Sequence, residues 1–350
     1  MNRRSTALIV AAVCLVALFG VAFLAPMPYV VMSPGVTENT LGAFSGKPVI
    51  TISGHKTYPT TGNLNMTTVS VTSADYHVRL PQVLAAWWSA DEIVLPRDVI
   101  YPPDQTVQQV QKQNSQEMLD SQSTAVVAGL GEAGIPALRA TVTKVIASTP
   151  ADGVLRTGDQ IVSVDGSPIN GTAQASAAIT NLKPGSTVTL GVIRSGAATR
   201  VTLTTEQSPQ YPSRSRVGME LSDAYHPPFK VDINLGQDIG GPSAGLMFSL
   251  AIYDKITPGS LTGGRFVAGT GTIDAAGAVG EIGGIQQKIA GAYAAGAKYF
   301  LVPADNCTEA GASSLADNIE LIKVDTLDSA VTALRALASG NTSAITRCGS

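Results

Sequence analysis

The sequence predicts an α+β protein with an N-terminal transmembrane helix and a β-rich module in mid-chain. Three observations carry that expectation. One unbroken apolar run opens the chain, short β-like segments punctuated by Gly and Pro come next, and helical periodicity returns after residue 243. At 350 residues there is room for two or three domains. Hydrophobic residues make up 44% and charged ones 14%, which favours packed cores over disorder. A net charge of -3 without any Lys/Arg run leaves no electrostatic footprint for nucleic acid, so nucleic-acid binding is set aside.

Arg3 and Arg4 precede an apolar run from Thr6 to Ala25, close to the roughly 20 residues a helix needs to cross the hydrocarbon core. Positive residues before the run put the N-terminus in the cytoplasm and the bulk of the chain outside. Residues 1–27 therefore read as a cytoplasmic tip and transmembrane signal anchor of a single-pass cell-membrane protein. A cleaved signal peptide is the alternative; Ala22-Phe23-Leu24-Ala25, running into Pro26-Met27-Pro28, lacks a clear small-residue cleavage pattern. Cys14 lies inside the run with no lipid-attachment context. The exported part keeps Cys307 and Cys348, an even pair expected to form a disulfide, with two unpaired thiols as the alternative.

Residues 28–124 read as an extracytoplasmic region that packs with the C-terminal part of the chain. Val49-Ile50-Thr51-Ile52 and Met66-Thr67-Thr68-Val69-Ser70-Val71 are strand-like, and Val107 to about Val127 is helical. Residues 125–206 form a module with readable turn chemistry. Thr141 to Ile146 and Gln160 to Val164 are strands, and Asp165-Gly166 is a strong hairpin signal. Thr172 to Leu182 reads as a helix, and a second hairpin turns at Ser195-Gly196. The run from Thr149-Pro150-Ala151-Asp152-Gly153 through Gly158-Asp159-Gln160-Ile161 to Asp165-Gly166 resembles the core signature of bacterial PDZ domains. That resemblance implies a small β-rich module that takes an extended peptide end beside a helix. The usual carboxylate-binding loop is not recognisable; Gly134-Ile135-Pro136-Ala137 lies nearest its place. A purely structural PDZ domain, packed on its neighbour, is the competing reading.

Several motif matches fail on context. Gly129-Leu130-Gly131-Glu132-Ala133-Gly134 fits G-x-G-x-x-G, but Ile135-Pro136 comes next where a helix should open. Gly42 to Pro48 is one residue short of a phosphate loop and ends in Pro, so no ATPase module is expected. His55, His77 and His226 lack zinc-ligand spacing. No cofactor and no metal are expected.

Gly241-Pro242-Ser243-Ala244-Gly245 matches G-x-S-x-G. An α/β-hydrolase reading needs a histidine after the serine, and His226 is the last in the chain. A Ser-Lys pair is the other reading. Ile285, Ile289 and Ala292 recur at helical spacing, which sets Lys288 at the border of an apolar face. Desolvation there lowers an ammonium's pKa, and a lysine must be tuned to about 7–8 to act as a base near neutral pH. Ser243 opens a second helix, Ala244 to about Ile256, near unpaired backbone N–H groups that can stabilise an oxyanion. Read separately, Ser243 is an ordinary N-cap and Lys288 a surface lysine.

Their surroundings, from about Val217 to Leu337, resemble the proteolytic domain of the Lon family. The likeness rests on Gly241-Pro242-Ser243-Ala244-Gly245, on Gly269-Thr270-Gly271-Thr272-Ile273, and on Gly277-Ala278-Val279-Gly280-Glu281-Ile282-Gly283-Gly284-Ile285-Gln286-Gln287-Lys288. It implies that Ser243 is the nucleophile, Lys288 the base, and Thr270 the residue that orients the lysine. Two departures stand out: Gly240 sits where the family often has an acid, with Asp238 two further back, and Gln286 replaces a frequent second lysine. Lon's ATPase portion is absent. The whole chain is similar to membrane-anchored bacterial proteins that pair a PDZ domain with a Lon-like protease domain, here residues 207–350. The expected function is ATP-independent serine endopeptidase action on extracytoplasmic or membrane-associated proteins. The resemblance suggests a ring-like homo-oligomer. The competing class is a non-catalytic envelope scaffold that keeps the fold for binding.

Overall fold

The computed structural model describes residues 3–236 and 239–349. Arg3–Leu24 is one continuous helix. Its Arg4–Leu24 stretch has a mean hydropathy of 3.0 and is exposed along its length, and it is long and apolar enough to cross a bilayer. A signal sequence answers the same description.

The body of the protein is built on a mixed six-stranded sheet. Its strands lie in the order Glu320–Val324, Tyr299–Pro303, Phe266–Gly269, Asn63–Val71, Tyr29–Asn39, Ile93–Pro96. The central pairs around Phe266–Gly269 are parallel, whereas Tyr29–Asn39 pairs antiparallel with both neighbours. Both faces of the parallel part are covered, which is why Tyr299-Phe300-Leu301-Val302 reads as a continuous apolar run rather than an alternating one. Val267, Leu301 and Ile322 face one core with helices Val107–Glu132, Gly245–Ile256 and Leu327–Ser339. Ala268, Phe300 and Val302 face the other, with helix Ile285–Ala294. The catalytic candidates thus come from helices on opposite faces of one sheet.

Helix Val107–Glu132 begins at a capping box, in which the Gln109 amide donates to Thr106 Oγ1 at 3.2 Å and the Thr106 amide to Gln109 Oε1 at 2.7 Å. It runs five residues past the expected end at Val127. Gly129 lies where it crosses helix Gly245–Ile256; a Cβ there would sit 2.8 Å from the Ser249 carbonyl oxygen. The G-x-G-x-x-G match is therefore the last turn of a core helix and its exit.

A second, antiparallel sheet has its own core. The order is Ala197–Thr204, Thr187–Arg194, Gln160–Val164, Leu138–Val145, Met219–Tyr225, with helix Gly171–Thr180 packed against it. Both expected hairpin turns are present: Asp165 and Gly166 have φ of 47° and 81°, Ser195 and Gly196 49° and 83°. Positive φ at two successive positions matches the twist of the flanking strands. Asp159 is buried and held by Arg194 Nη2 at 2.7 Å. Burial pushes its carboxyl up, but the Arg194 hydrogen bonds and the Arg156 amide outweigh this and hold it below the ordinary range. The sheet closes with Met219–Tyr225, which sequence reading did not single out.

Cys307 and Cys348 form a disulfide that ties the C-terminal segment to the domain.

Candidate active site

Ser243 sits in the turn leading into helix Gly245–Ile256. Two contacts strap that turn to helix Val107–Glu132. The Gly241 amide donates to the Asn114 carbonyl at 3.0 Å, and the Ser121 hydroxyl donates to the Pro242 carbonyl at 2.9 Å. Gly241 takes φ +83°, a left-handed conformation suited to glycine. Gly245 is needed for a different reason: a Cβ on it would meet Ile273 Cγ2 at 2.8 Å and Ser121 Oγ at 3.0 Å. Both glycines of the motif thus have a geometric cause.

The central strand Phe266–Gly269 delivers Thr270 and Gly271 beneath this turn. The Gly271 amide donates to the Ser243 carbonyl at 2.9 Å, and the Leu246 amide donates to the Gly271 carbonyl at 3.1 Å. The Thr270 hydroxyl also donates to the Ser243 carbonyl, at 3.0 Å. The Ser243 and Ala244 amides have no hydrogen-bond partner among the described residues. Unpartnered donors at the start of a helix are suited to a developing oxyanion.

Lys288 arrives from the other face of the sheet. Its helix begins at Gly284, which is held in the left-handed region against Val69 and Met32. Ile285, Ile289 and Ala292 are fully buried in that core, and Lys288 is only 3% exposed. Its Nζ donates to Thr270 Oγ1 at 3.1 Å, and it makes no ion pair among the described residues. Desolvation without a compensating anion brings its pKa down to about 8. Thr270 is itself fully buried, so the lysine–threonine contact lies out of water. Two hydrogen bonds thus link Lys288 Nζ through the Thr270 hydroxyl to the Ser243 backbone carbonyl, and among the described residues no hydrogen bond joins Lys288 Nζ to Ser243 Oγ.

Gln286 points away from this centre and donates to the Glu309 carbonyl at 3.2 Å. Gly240 lies against Asn114; Asp238 falls outside the described residues. Among the described residues no three His, Cys, Asp or Glu side chains gather into a metal-sized cluster. His55 stacks on the Phe229 ring at 4.3 Å.

Three further features escaped sequence reading. Ser121 and Asn114 reach it from more than a hundred residues upstream, and nothing local marks either. Asp254 lies buried on the Ser243 helix, where burial raises its pKa to about 6 although its Oδ1 accepts the Leu261 amide at 2.7 Å. A cleft of about 1150 Å³ runs beside the segment that precedes Ser243, walled by Asn114, Met118, Ile233, Leu235 and Gly240. Ser243 and Lys288 do not line it.

In the second domain, a cleft of about 340 Å³ separates helix Gly171–Thr180 from the edge strand Met219–Tyr225. Ser176, Ile179, Met219 and Leu221 line it, and Arg216-Val217-Gly218 closes one end. Gly134 to Ala137 does not line this groove; it joins helix Val107–Glu132 to strand Leu138–Val145. An open edge beside a helix is the arrangement that takes an added peptide strand.

Comparison with known proteins finds two domain families along the chain. The PDZ domain family matches residues 106–205, and the Lon protease (S16) C-terminal proteolytic domain matches residues 235–336. The chain therefore carries a PDZ domain and a Lon-type proteolytic domain, together with one N-terminal apolar helix long enough to be an anchor. This composition supports a serine protease with a peptide-binding module. No curated protein matches the chain. Among solved structures it is similar to the PDZ domain of the SdrC-like protein from Listeria monocytogenes (22% identity, 23% of this chain and 85% of that one, TM-score 0.22). The corresponding PDZ domain from Listeria innocua gives 20% identity over 25% of this chain and 98% of that one, with a TM-score of 0.23. A solution structure from Geobacillus thermodenitrificans gives 28% identity over 23% and 94%, with a TM-score of 0.22.

Proposed function

We propose that the protein is a membrane-anchored, ATP-independent serine endopeptidase in which Ser243 is the nucleophile, Lys288 its base and Thr270 the residue that positions the lysine. The observation that carries this is the buried Lys288, whose pKa is lowered to about 8 and whose Nζ is tethered to Thr270 Oγ1 at 3.1 Å. An ordinary lysine is protonated near neutral pH and has no lone pair to offer; this one is neutral in a usable fraction of molecules.

Neutral Lys288 has two N–H bonds and one lone pair. Thr270 takes one N–H, which leaves the lone pair for the Ser243 hydroxyl proton. Ser243 Oγ then attacks the scissile carbonyl, and the oxyanion forms near the Ser243 and Ala244 amides. Lys288 returns the proton to the leaving amine, giving an acyl-enzyme. In the second half, water gives its proton to Lys288 as it attacks the ester, and Ser243 recovers that proton on release of the acid. Nothing in this sequence consumes ATP.

Substrates are extracytoplasmic or membrane-associated proteins, presented as extended segments through the groove beside Met219–Tyr225. The basic residues before the apolar helix support a cytoplasmic N-terminus and an extracytoplasmic body.

The test compares the full chain, in detergent or vesicles, with its Ser243→Ala and Lys288→Ala variants on an unstructured protein substrate without ATP. Cleavage by the parent alone, with all three folded, upholds the assignment. Equal cleavage by all three overturns it. Cleavage by none of them, together with no labelling of the parent by a serine-directed covalent probe, returns the protein to the scaffold reading.

A further inference from the structure

We infer that the short helix Leu80–Trp88 lies along the membrane–water interface and seats the protein body on the bilayer through Trp87 and Trp88. The inference rests on the reading of Arg3–Leu24 as an anchor and goes beyond it, since a single helix alone leaves the body free to tilt.

The chain has only two tryptophans, they are adjacent, and they are 78% and 84% exposed. Large aromatic side chains are seldom left so bare in water. Their helix, Leu-Pro-Gln-Val-Leu-Ala-Ala-Trp-Trp, carries no charged residue although only Val83 and Ala86 are buried. Its one polar side chain, Gln82, is already used: it accepts the Arg79 amide at 2.9 Å and donates to the half-exposed Tyr76 hydroxyl.

Position identifies what covers this surface. Where the apolar helix ends at Leu24, Pro26 bridges to Arg79 and the Met27 amide donates to the Val78 carbonyl at 2.9 Å. Leu80 thus begins its helix beside the last turn of the anchor. Nine residues at about 1.5 Å each keep both tryptophans within about 13 Å of that point. A second short helix, Arg97–Ile100, also starts there, because the Arg97 amide donates to the Pro28 carbonyl at 3.0 Å, and its Val99 is exposed. Tyrosine and tryptophan, with an apolar ring and one polar handle, concentrate at the headgroup level. A lipid surface fits this cluster on both chemistry and continuity.

With no other tryptophan in the chain, its fluorescence reads the cluster directly. The full chain would be reconstituted into phosphatidylcholine vesicles and into vesicles whose acyl chains are brominated, with flotation recording membrane association. The expected result is co-flotation, with emission reduced at least about twofold by brominated lipid. Trp87→Phe and Trp88→Phe variants should each retain quenching from the remaining indole. Co-flotation with emission unaffected by brominated lipid, whether open to iodide or shielded by a second copy, overturns the inference and leaves the anchor intact. Failure to float removes the anchor reading and this inference with it.

Discussion

Lys288 and Thr270 share one hydrogen bond whose direction is set by a third group. The threonine hydroxyl spends its single proton on the Ser243 carbonyl at 3.0 Å, so only its lone pairs face Lys288 Nζ, 3.1 Å away. The lysine must donate in this contact. Its remaining valences are then oriented by the backbone of the very residue it is proposed to deprotonate.

Thr270→Val keeps the shape of the side chain and removes both hydrogen bonds. The expected outcome is a fall in kcat of about 10–100-fold with little change in KM, because orientation rather than substrate binding is lost. Thr270→Ser retains the hydroxyl and should recover most of the rate. Steady-state kinetics on a short peptide substrate reads both.

Stability should depend on pH in two separate windows. Asp254 keeps its proton in the folded state up to about pH 6, by burial, against an ordinary value of 3.8. The folded state binds more protons between those values, so stability falls as pH rises through them and is flat above. Lys288 is opposite in sign. The unfolded chain binds more protons between about 8 and 10.5, so stability rises with pH there, and the full penalty applies below 8. Denaturation at graded pH should show both slopes; Asp254→Asn should weaken the acidic one, to which the Glu132 carboxyl, raised by burial, also contributes, and Lys288→Met the alkaline one, to which the Lys255 ammonium, lowered by burial, also contributes.

Gly245→Ala places a methyl group against Ile273 and the Ser121 hydroxyl. Ile273 has to shift and the Ser121 hydroxyl to move by a few tenths of an ångström, which loosens the Ser121–Pro242 bond at the turn that carries Ser243. A loss of about 1–3 kcal/mol in stability is expected, as for other overpacked sites. Activity should fall by more than Ser121→Ala alone produces. Thermal melts and peptide cleavage on the two variants separate the steric effect from loss of the hydrogen bond.

The Cys307–Cys348 bridge closes a sequence separation of 41 residues. Chain-entropy reasoning assigns such a loop about 4 kcal/mol. Cys348→Ser should lower the melting temperature as much as reduction of the parent does, and reduction should then leave the variant unchanged. Peptide mapping without reduction should recover the two cysteines linked.

Much of the fold and of the site is legible in the sequence because its causes are local. The Asp165-Gly166 and Ser195-Gly196 turns need positive φ at both positions, and their residue types announce it. The apolar spacing of Ile285, Ile289 and Ala292 tells which side of its helix Lys288 borders, though not that it is buried as completely as it is. Other features are illegible because their causes lie far along the chain. Met219–Tyr225 carries little periodicity of its own and becomes a strand by pairing with Leu138–Val145. Ser121 and Asn114 look like solvated positions on a polar helix until the turn before Ser243 is laid against them. Asp254 reads as a surface acid near a helix end, and only packing shows it fully covered. Leu80–Trp88 is too short for its period to stand out.

The most direct measurement is the rate at which a fluorophosphonate modifies the full chain across pH 6 to 9, read by intact mass and peptide mapping. The adduct should form on Ser243, with a rate that climbs about tenfold per pH unit and levels off near 8 as Lys288 loses its proton; Lys288→Ala should react far more slowly at every pH. An adduct on another residue, a pH-independent rate, or equal labelling of the Lys288→Ala variant would contradict the assignment of Ser243 and Lys288 as nucleophile and base.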